Sequence, residues 1–433
     1  MDSLPQANRL WIVGAFLAGI LLTLGYKDVY PDLERRFRRS RRRSSVILDK
    51  DAADSSSTVE LADNTRHRQS VAGNLGGEIA EGIEGCIGNT PLIKIKSLSE
   101  FTGCEILAKA EFLNGAGQSP KDRVALNIIR MAEEEGLLTP HSGDMIYEGT
   151  VGSTGISLAA ICRARGYLAH ICMPDDVALE KSDLLEKLGA EVERLRPAPI
   201  VDQNQFVNKA KARAIEHTND PSKPGRGIFA DQFETDANWR AHYEGTGPEI
   251  HRQTGGILDA FVTGAGTGGT ISGTALYLKP RIPQLKVILA DPQGSGLFNK
   301  VKYGVMFDPK EREGTRRRHQ VDTIVEGVGI NRLTRNFEAG RELVDDAVRV
   351  TDEQAMAMAR WLVEKDGIFC GSSSAVNCVA VTKAALEMGP GHRLVTLLCD
   401  SGTRYLSKFW KHAGSIGNKD DLTLDDVLKT GSP

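Results

Sequence analysis

The chain has 433 residues, 40% hydrophobic and 26% charged, with a formal net charge of -3. This is an ordinary globular mixture with length enough for two lobes, and it gives no overall electrostatic case for nucleic acid. Seven scattered cysteines without a CxxC pair (Cys86, Cys104, Cys162, Cys172, Cys370, Cys378 and Cys399) read as small core residues of a protein in a reducing compartment, not as disulfides or zinc ligands.

At the N-terminus, Leu10 to Gly25 (LWIVGAFLAGILLTLG) carries no charge. It is short for a bilayer span of roughly 20 residues, but Trp11 and Tyr26 can extend it to the interfaces. Arg35, Arg36, Arg38, Arg39, Arg41, Arg42 and Arg43 follow it. A signal peptide carries its charge before the apolar stretch, so the order here favours an anchor, with the bulk of the chain in the cytosol. A short, moderately apolar anchor with basic flanks suits the mitochondrial outer membrane, with the endoplasmic reticulum as the alternative. Ser44 to Gly77 is polar and aperiodic and reads as a tether. The expected organisation is an anchor over 1–30, a basic and polar tether over 31–78, and a folded region over 79–433.

From Met145 onward short apolar runs alternate with helical patterns. MIYEG precedes GISLAAICRARG, YLAHICMP precedes ALEKSDLLEKLG, LDAFVTG precedes ISGTALYLK, and KVILADP and RLVTLLCD are further buried strands. The pattern predicts parallel sheets covered on both faces, an α/β fold. Two charged insertions, around Pro197 to Arg226 and Phe307 to His319, read as surface loops, and Arg316 to Arg318 as a solvated face.

Ligand sites in such sheets form where loops leave the C-terminal strand ends, and three loops there carry chemistry. NGAGQSPKDR (Asn114 to Arg123) opens a helix with Lys121 in its first turn, where the positive dipole end favours a neutral, nucleophilic amine. Taken alone, a lysine in that position is usually a surface residue. EGTVGSTGISL (Glu148 to Leu158) can hold a carboxylate on its N–H groups and hydroxyls, or be a plain capped turn. TGAGTGGT (Thr263 to Thr270) can approach a phosphate through its glycines, with hydroxyls from Thr267 and Thr270; it lacks the P-loop lysine and has no clear Rossmann acid. An amine, a carboxylate pocket and a phosphate cup together are what an amino-acid enzyme using pyridoxal 5'-phosphate (PLP) needs.

From about Ile83 to Lys411 the chain resembles the fold-type II PLP enzymes, within them the cysteine synthase and cystathionine β-synthase family, and most of all fungal membrane-anchored cysteine synthase-like proteins. The resemblance is carried by IGNTPLIKI (Ile87 to Ile95), SPKDR, DQF (Asp231 to Phe233), GTGGT (Gly266 to Thr270), CGSSSA (Cys370 to Ala375) and CDSGTRYLS (Cys399 to Ser407), in that order. It implies two open, mostly parallel three-layer α/β/α lobes like the tryptophan synthase β-subunit: a small lobe at about 115–236, and a large lobe at about 93–114 plus 237–433. It implies Lys121 as the catalytic Schiff-base lysine. Ser153, Gly266, Thr267, Gly268, Gly269, Thr270 and Ser373 would hold the cofactor, and Thr150, Gly152, Thr154 and Gln232 the substrate. The implied reaction replaces the acetate of O-acetylserine by sulfide in a homodimeric enzyme.

Thr150 to Gly155 depart from the pattern, reading TVGSTG where most cysteine synthases have TSGNTG. Ser153 replaces an asparagine and Val151 a serine, and each lost hydrogen bond costs roughly 1 kcal/mol. The lysine loop is one residue longer than usual. Cysteine desulfhydrase or cystathionine β-synthase chemistry, or a weakly active PLP-binding regulatory protein, are the competing expectations. No metal is expected, since the nine histidines show no ligand spacing.

Overall fold

The computed structural model describes residues 79–177, 179–307, 323–414 and 422–430. The expected anchor, the tether, and most of the Phe307 to His319 insertion, including Arg316 to Arg318, lie outside them. Among the described residues no helix is long and apolar enough to cross a membrane.

Two sheets organise the chain. The larger has the order β1-β2-β10-β7-β8-β9, with β1 (Leu92–Lys94), β2 (Glu105–Ala110), β7 (Ala260–Gly264), β8 (Lys286–Pro292), β9 (Asp346–Val350) and β10 (Arg393–Leu398). Only the edge strand β1 runs antiparallel to its neighbour. The smaller sheet is all parallel, ordered β5-β4-β3-β6, with β3 (Met145–Gly149), β4 (Leu168–Pro174), β5 (Glu191–Leu195) and β6 (Gly227–Phe229). This is the mostly parallel α/β architecture that the alternating pattern predicts. Every residue of β3 and of β7 is buried, because helices cover both sheet faces and leave interior strands no solvent side.

The helices that matter here are α1 (Lys121–Glu134), α2 (Ser153–Arg165), α3 (Leu179–Lys187), α4 (Phe206–Asn219), α5 (Gly247–Thr254), α6 (Gly269–Leu278), α7 (Asp352–Asp366) and α8 (Ser372–Met388). α8 crosses the large sheet and buries Ala375, Val376, Cys378, Val379, Ala380 and Val381 together. α7 begins with a capping box, Thr351 accepting from the Gln354 N–H and Gln354 accepting from Thr351. One expectation is corrected: the segment Pro197 to Arg226 is not a loop throughout but carries α4. Its Val207, Ala210, Ala214 and His217 recur at helical spacing and are buried, and the Tyr147 hydroxyl meets His217 Nδ1 at 2.8 Å. All seven cysteines are free, and Cys86 is exposed.

A buried ionic cluster joins α1 to the large sheet. Lys109 on β2 pairs with Glu249 on α5 at 2.5 Å, and Arg123 on α1 pairs with Glu111 at 2.8 Å and Glu249 at 2.6 Å. Two cations offset two anions, and the remaining lone pairs are filled from the IGNTP segment: Thr90 donates to Glu111 at 2.7 Å and the Asn89 N–H to Glu249 at 2.9 Å. Burial works against the ionised Glu111, but Arg123 and Lys109 hold it well below the usual carboxylate range.

Candidate active site

Lys121 is the first residue of α1, entered from Pro120 at φ -61°. Proline has no N–H to leave unsatisfied and its φ suits helix entry, so the turn delivers the lysine at the positive helix end. Burial holds the Lys121 amine below the pKa of free lysine, against the opposing pull of Cys399 and Asp400. Asp122 ties the preceding loop to α2, its Oδ1 accepting from the Gly117 N–H at 2.7 Å and from the Ser157 hydroxyl at 2.6 Å.

The sequence-predicted residues meet in a ring at the C-terminal ends of β2, β3, β7 and β10. Starting from Lys121, the electrostatic partner is Asp400. Asp400 Oδ2 accepts from the Ser153 hydroxyl at 3.5 Å and from the Tyr405 hydroxyl at 2.6 Å. Beside Ser153, Thr154 donates to Gln232 Oε1 at 2.5 Å. The Gln232 carbonyl accepts from Asn238 Nδ2 at 2.7 Å, and the same Nδ2 donates to Thr267 Oγ1 at 2.9 Å. Beside the GTGGT loop stands Gly327, whose carbonyl oxygen a Cβ on Gly266 would meet, and beyond it Ser373, whose hydroxyl would lie 3.9 Å from a Cβ on Gly327. Cys399, whose thiol feels both Ser373 and Lys121 electrostatically, stands next to Asp400 in the chain.

The glycine loop is a backbone cup. Gly268, the N-cap of α6, has φ 85° and no side chain caps the helix. Its first-turn N–H groups are therefore open to an anion. A Cβ on Gly268 would stand 2.5 Å from Phe337, one on Gly269 1.9 Å from Asn238 Oδ1, and one on Gly266 2.4 Å from the Gly327 carbonyl oxygen. Thr267 receives a hydrogen bond from Asn238, which leaves its own proton to donate. Thr270 meets His242 Nε2 at 3.1 Å, and His242 Nδ1 meets Thr246 at 2.9 Å. Burial, reinforced by Arg123, pushes His242 down to about 3, so this support is a neutral imidazole.

Asp400 Oδ1, buried beside the ring, makes no hydrogen bond within the protein. An amine, an uncapped helix N-terminus lined by glycines, and an orphaned buried oxygen fit a phosphorylated aldehyde cofactor: Gly266 to Thr270 would hold its phosphate, Ser373 would lie by its ring, and Lys121 would take its carbonyl.

The carboxylate loop holds Thr150, Gly152 and Thr154 buried, with Val151 and Ser153 half-buried. Thr150 Oγ1 accepts from the Gly152 N–H at 3.3 Å. Gln232, expected as a substrate contact, has both amide hydrogens engaged, donating to Glu148 at 3.1 Å and to the Gly149 carbonyl at 3.3 Å. It braces the loop against β3. Glu148 is fully buried, and burial, with Asp231 adding to it, pushes its carboxyl up to about 8. Sequence reasoning missed Glu148, Asn238, His242 and Asp400. Glu148 left a signal, a carboxylate inside the otherwise apolar strand MIYEG, and Asp400 lies within the quoted run CDSGTRYLS.

Comparison with known proteins follows the same residues. Residues 83–400 match the family model described as pyridoxal-phosphate dependent enzyme. The chain is 65% identical over 435 residues to cysteine synthase 2 of Emericella nidulans, covering 98% of this chain and 99% of that one. It is 56% identical over 353 residues to the putative mitochondrial cysteine synthase of Saccharomyces cerevisiae, covering 80% and 88%. Among solved structures, the O-acetylserine dependent cystathionine β-synthase from Helicobacter pylori superposes with a TM-score of 0.64 at 31% identity, covering 77% of this chain and 99% of that one.

Proposed function

The chain belongs to the family of pyridoxal-phosphate dependent enzymes, and from that premise we propose that it is a cysteine synthase, replacing the acetate of O-acetylserine by sulfide to give L-cysteine. The carrying observation is the gathering of Lys121, Ser153, Gln232, Thr267 and Ser373 at one end of the strands, together with 65% identity to a cysteine synthase across nearly the whole chain.

When bound, pyridoxal phosphate supplies a carbonyl that captures the substrate's amino group and a conjugated ring that draws electrons from Cα. The protein's own groups do the rest. The Thr150 hydroxyl and the Thr154 N–H in the first turn of α2 receive the substrate carboxylate, while the Gly152 N–H bond to Thr150 and the Thr154 hydroxyl bond to Gln232 hold that loop in place. Lys121 Nζ, its pKa lowered by burial, takes the proton from Cα. The C–O bond at Cβ breaks and acetate leaves; hydrosulfide forms the new C–S bond there, and the Lys121 proton returns to Cα. Ser373, a neutral hydroxyl, does not force a proton onto the ring nitrogen, which favours elimination at Cβ over amino-group transfer.

The proposal includes an anchor formed by residues 10–26 and a homodimeric enzyme. The apolar run followed by arginines supports the anchor, which is assigned to the mitochondrial outer membrane; the name of the S. cerevisiae relative supports the mitochondrial location alone.

Visible absorbance tests the reading. The purified protein is expected to show a Schiff-base band that shifts on adding O-acetylserine and returns, with cysteine formed, on adding sulfide. Lys121→Ala should lack that band and the activity. A band indifferent to O-acetylserine would transfer the site to another amino-acid substrate.

A further inference from the structure

Between the small sheet and α4 lies a second group of donor side chains that the ring does not use. β4 and β5 pair so that His170 faces Glu191 and Cys172 faces Glu193. Residues at i and i+2 of a strand share a face, so all four side chains stand together. His170 Nδ1 is 3.1 Å from Glu191 Oε2, and its Nε2 is 3.3 Å from Glu193 Oε2. Cys172 Sγ is 3.9 Å from that same Glu193 oxygen. The His170, Cys172 and Glu193 donor atoms all lie within 4.8 Å of one another.

These spacings have a chemical meaning. A zinc ion holds nitrogen and oxygen at about 2.0–2.1 Å and sulfur at about 2.3 Å, which at tetrahedral angles sets donor atoms roughly 3.3–3.8 Å apart. An imidazole with one N–H can donate to only one of the two carboxylates that flank His170. With one N–H directed at Glu191, a cation seated between Nε2 and the Glu193 oxygen satisfies both, as a second imidazole proton also does. A carboxylate behind a ligating histidine is the usual means of fixing the tautomer at a metal. Arg213 also donates to Glu193, at 2.9 Å to each oxygen, but it holds Glu216 at 2.8 Å as well. It therefore keeps carboxylate partners if Oε2 turns to a metal. A cavity of about 400 Å³ lined by His170, Glu191, Glu193 and Arg213 opens beside the group, leaving room for a water ligand.

We propose that His170, Cys172 and Glu193 form a binding site for a thiophilic divalent cation of the zinc type, with Glu191 orienting His170. The Cys172 carbonyl accepts the Thr150 N–H at 3.0 Å, so the site sits one backbone hydrogen bond from the first residue of the TVGSTG loop.

The full-length holoenzyme, stripped by dialysis against a chelator, is titrated with zinc in competition with a chromophoric chelator. One zinc per chain is expected. His170→Ala and Cys172→Ser should each weaken it by at least about tenfold, while Cys86→Ser, at an exposed cysteine, leaves it unchanged. Absence of zinc binding, or affinity indifferent to both ligand variants, overturns the assignment. If the variants do not fold, cobalt(II) added to the wild-type protein decides. Intense tetrahedral absorption with a thiolate charge-transfer band supports the site, and the weak spectrum of octahedral cobalt sinks it.

Discussion

At the scale of single residues, the site's chemistry rests on groups whose charge is set by burial. Glu148, pushed up to about 8, keeps its proton in the folded protein through a range where an unfolded glutamate has lost it. The folded state therefore binds more protons between about pH 4.5 and 8. The stabilisation is fully present below that window and is lost as pH rises through it. Glu148→Gln, which cannot ionise and keeps one side-chain oxygen to accept from Gln232, should flatten the fall in thermal stability by a few kcal/mol, at about 1.4 kcal/mol per unit. A fall equally steep in the variant would place the titration elsewhere. Ser153 reaches Asp400 only at 3.5 Å. Ser153→Asn should strengthen that corner by about 1 kcal/mol and raise kcat/KM for O-acetylserine roughly fivefold; an unchanged or lower value would mean that serine is already suited to this enzyme's substrate. Lys121 and the glycines were legible in the sequence because their chemistry is written within a few consecutive residues. The proton affinity of Glu148 was not: it comes from burial and from Asp231, against the hydrogen bonds that Gln232, 84 positions away, donates to the carboxylate.

At the scale of elements, the Lys109–Glu249–Arg123–Glu111 cluster fixes the start of α1, and with it the lysine two residues before Arg123. Removing one member of a buried ion pair leaves its partner's charge uncompensated and costs about 3–5 kcal/mol. Arg123→Met should destabilise by that amount in denaturant titration, and loss of under about 1 kcal/mol would show the cluster to be energetically neutral. IGNTP thereby gains a physical meaning, since its Asn89 and Thr90 complete the cluster's hydrogen bonds. Sequence periodicity located β3, β4, β7, β8 and β10 but passed over β1, β2, β5, β6 and β9. β5 and β9 are edge strands of mostly half-buried positions, and their sequences EVERL and DAVRV mix charged with apolar residues and read as polar. α4 was hidden differently: its apolar stripe is built from small residues, Ala210 and Ala214, among lysines and arginines. The His170–Cys172 spacing was equally mute, because its partners come from a neighbouring strand.

At the scale of the whole molecule, both the two-sheet α/β organisation and the placing of all three chemical loops at C-terminal strand ends were legible, since both follow from strand-helix alternation. The ring itself was not, because it joins residues 121 and 400. The described fold begins at Ile79, and the family match lies within 83–400. A protein lacking residues 1–78 should therefore keep its kcat within about twofold while moving from the membrane pellet to the supernatant, as fractionation with an activity assay would check; loss of activity would give the N-terminal segment a role in the fold. The strand order carries a consequence for biosynthesis. β10 is the last strand to emerge from the ribosome, yet it lies between β2 and β7 in the middle of the large sheet. β2 has no parallel neighbour until Arg393–Leu398 arrives, and neither Cys399 nor Asp400 can meet Lys121 before then. Pairing across so many residues carries a large loop-closure cost and is slow. The nascent chain thus stays without a finished large sheet or site until nearly all of it has been made, so any delivery of its N-terminus to a membrane during synthesis precedes the enzyme's own completion.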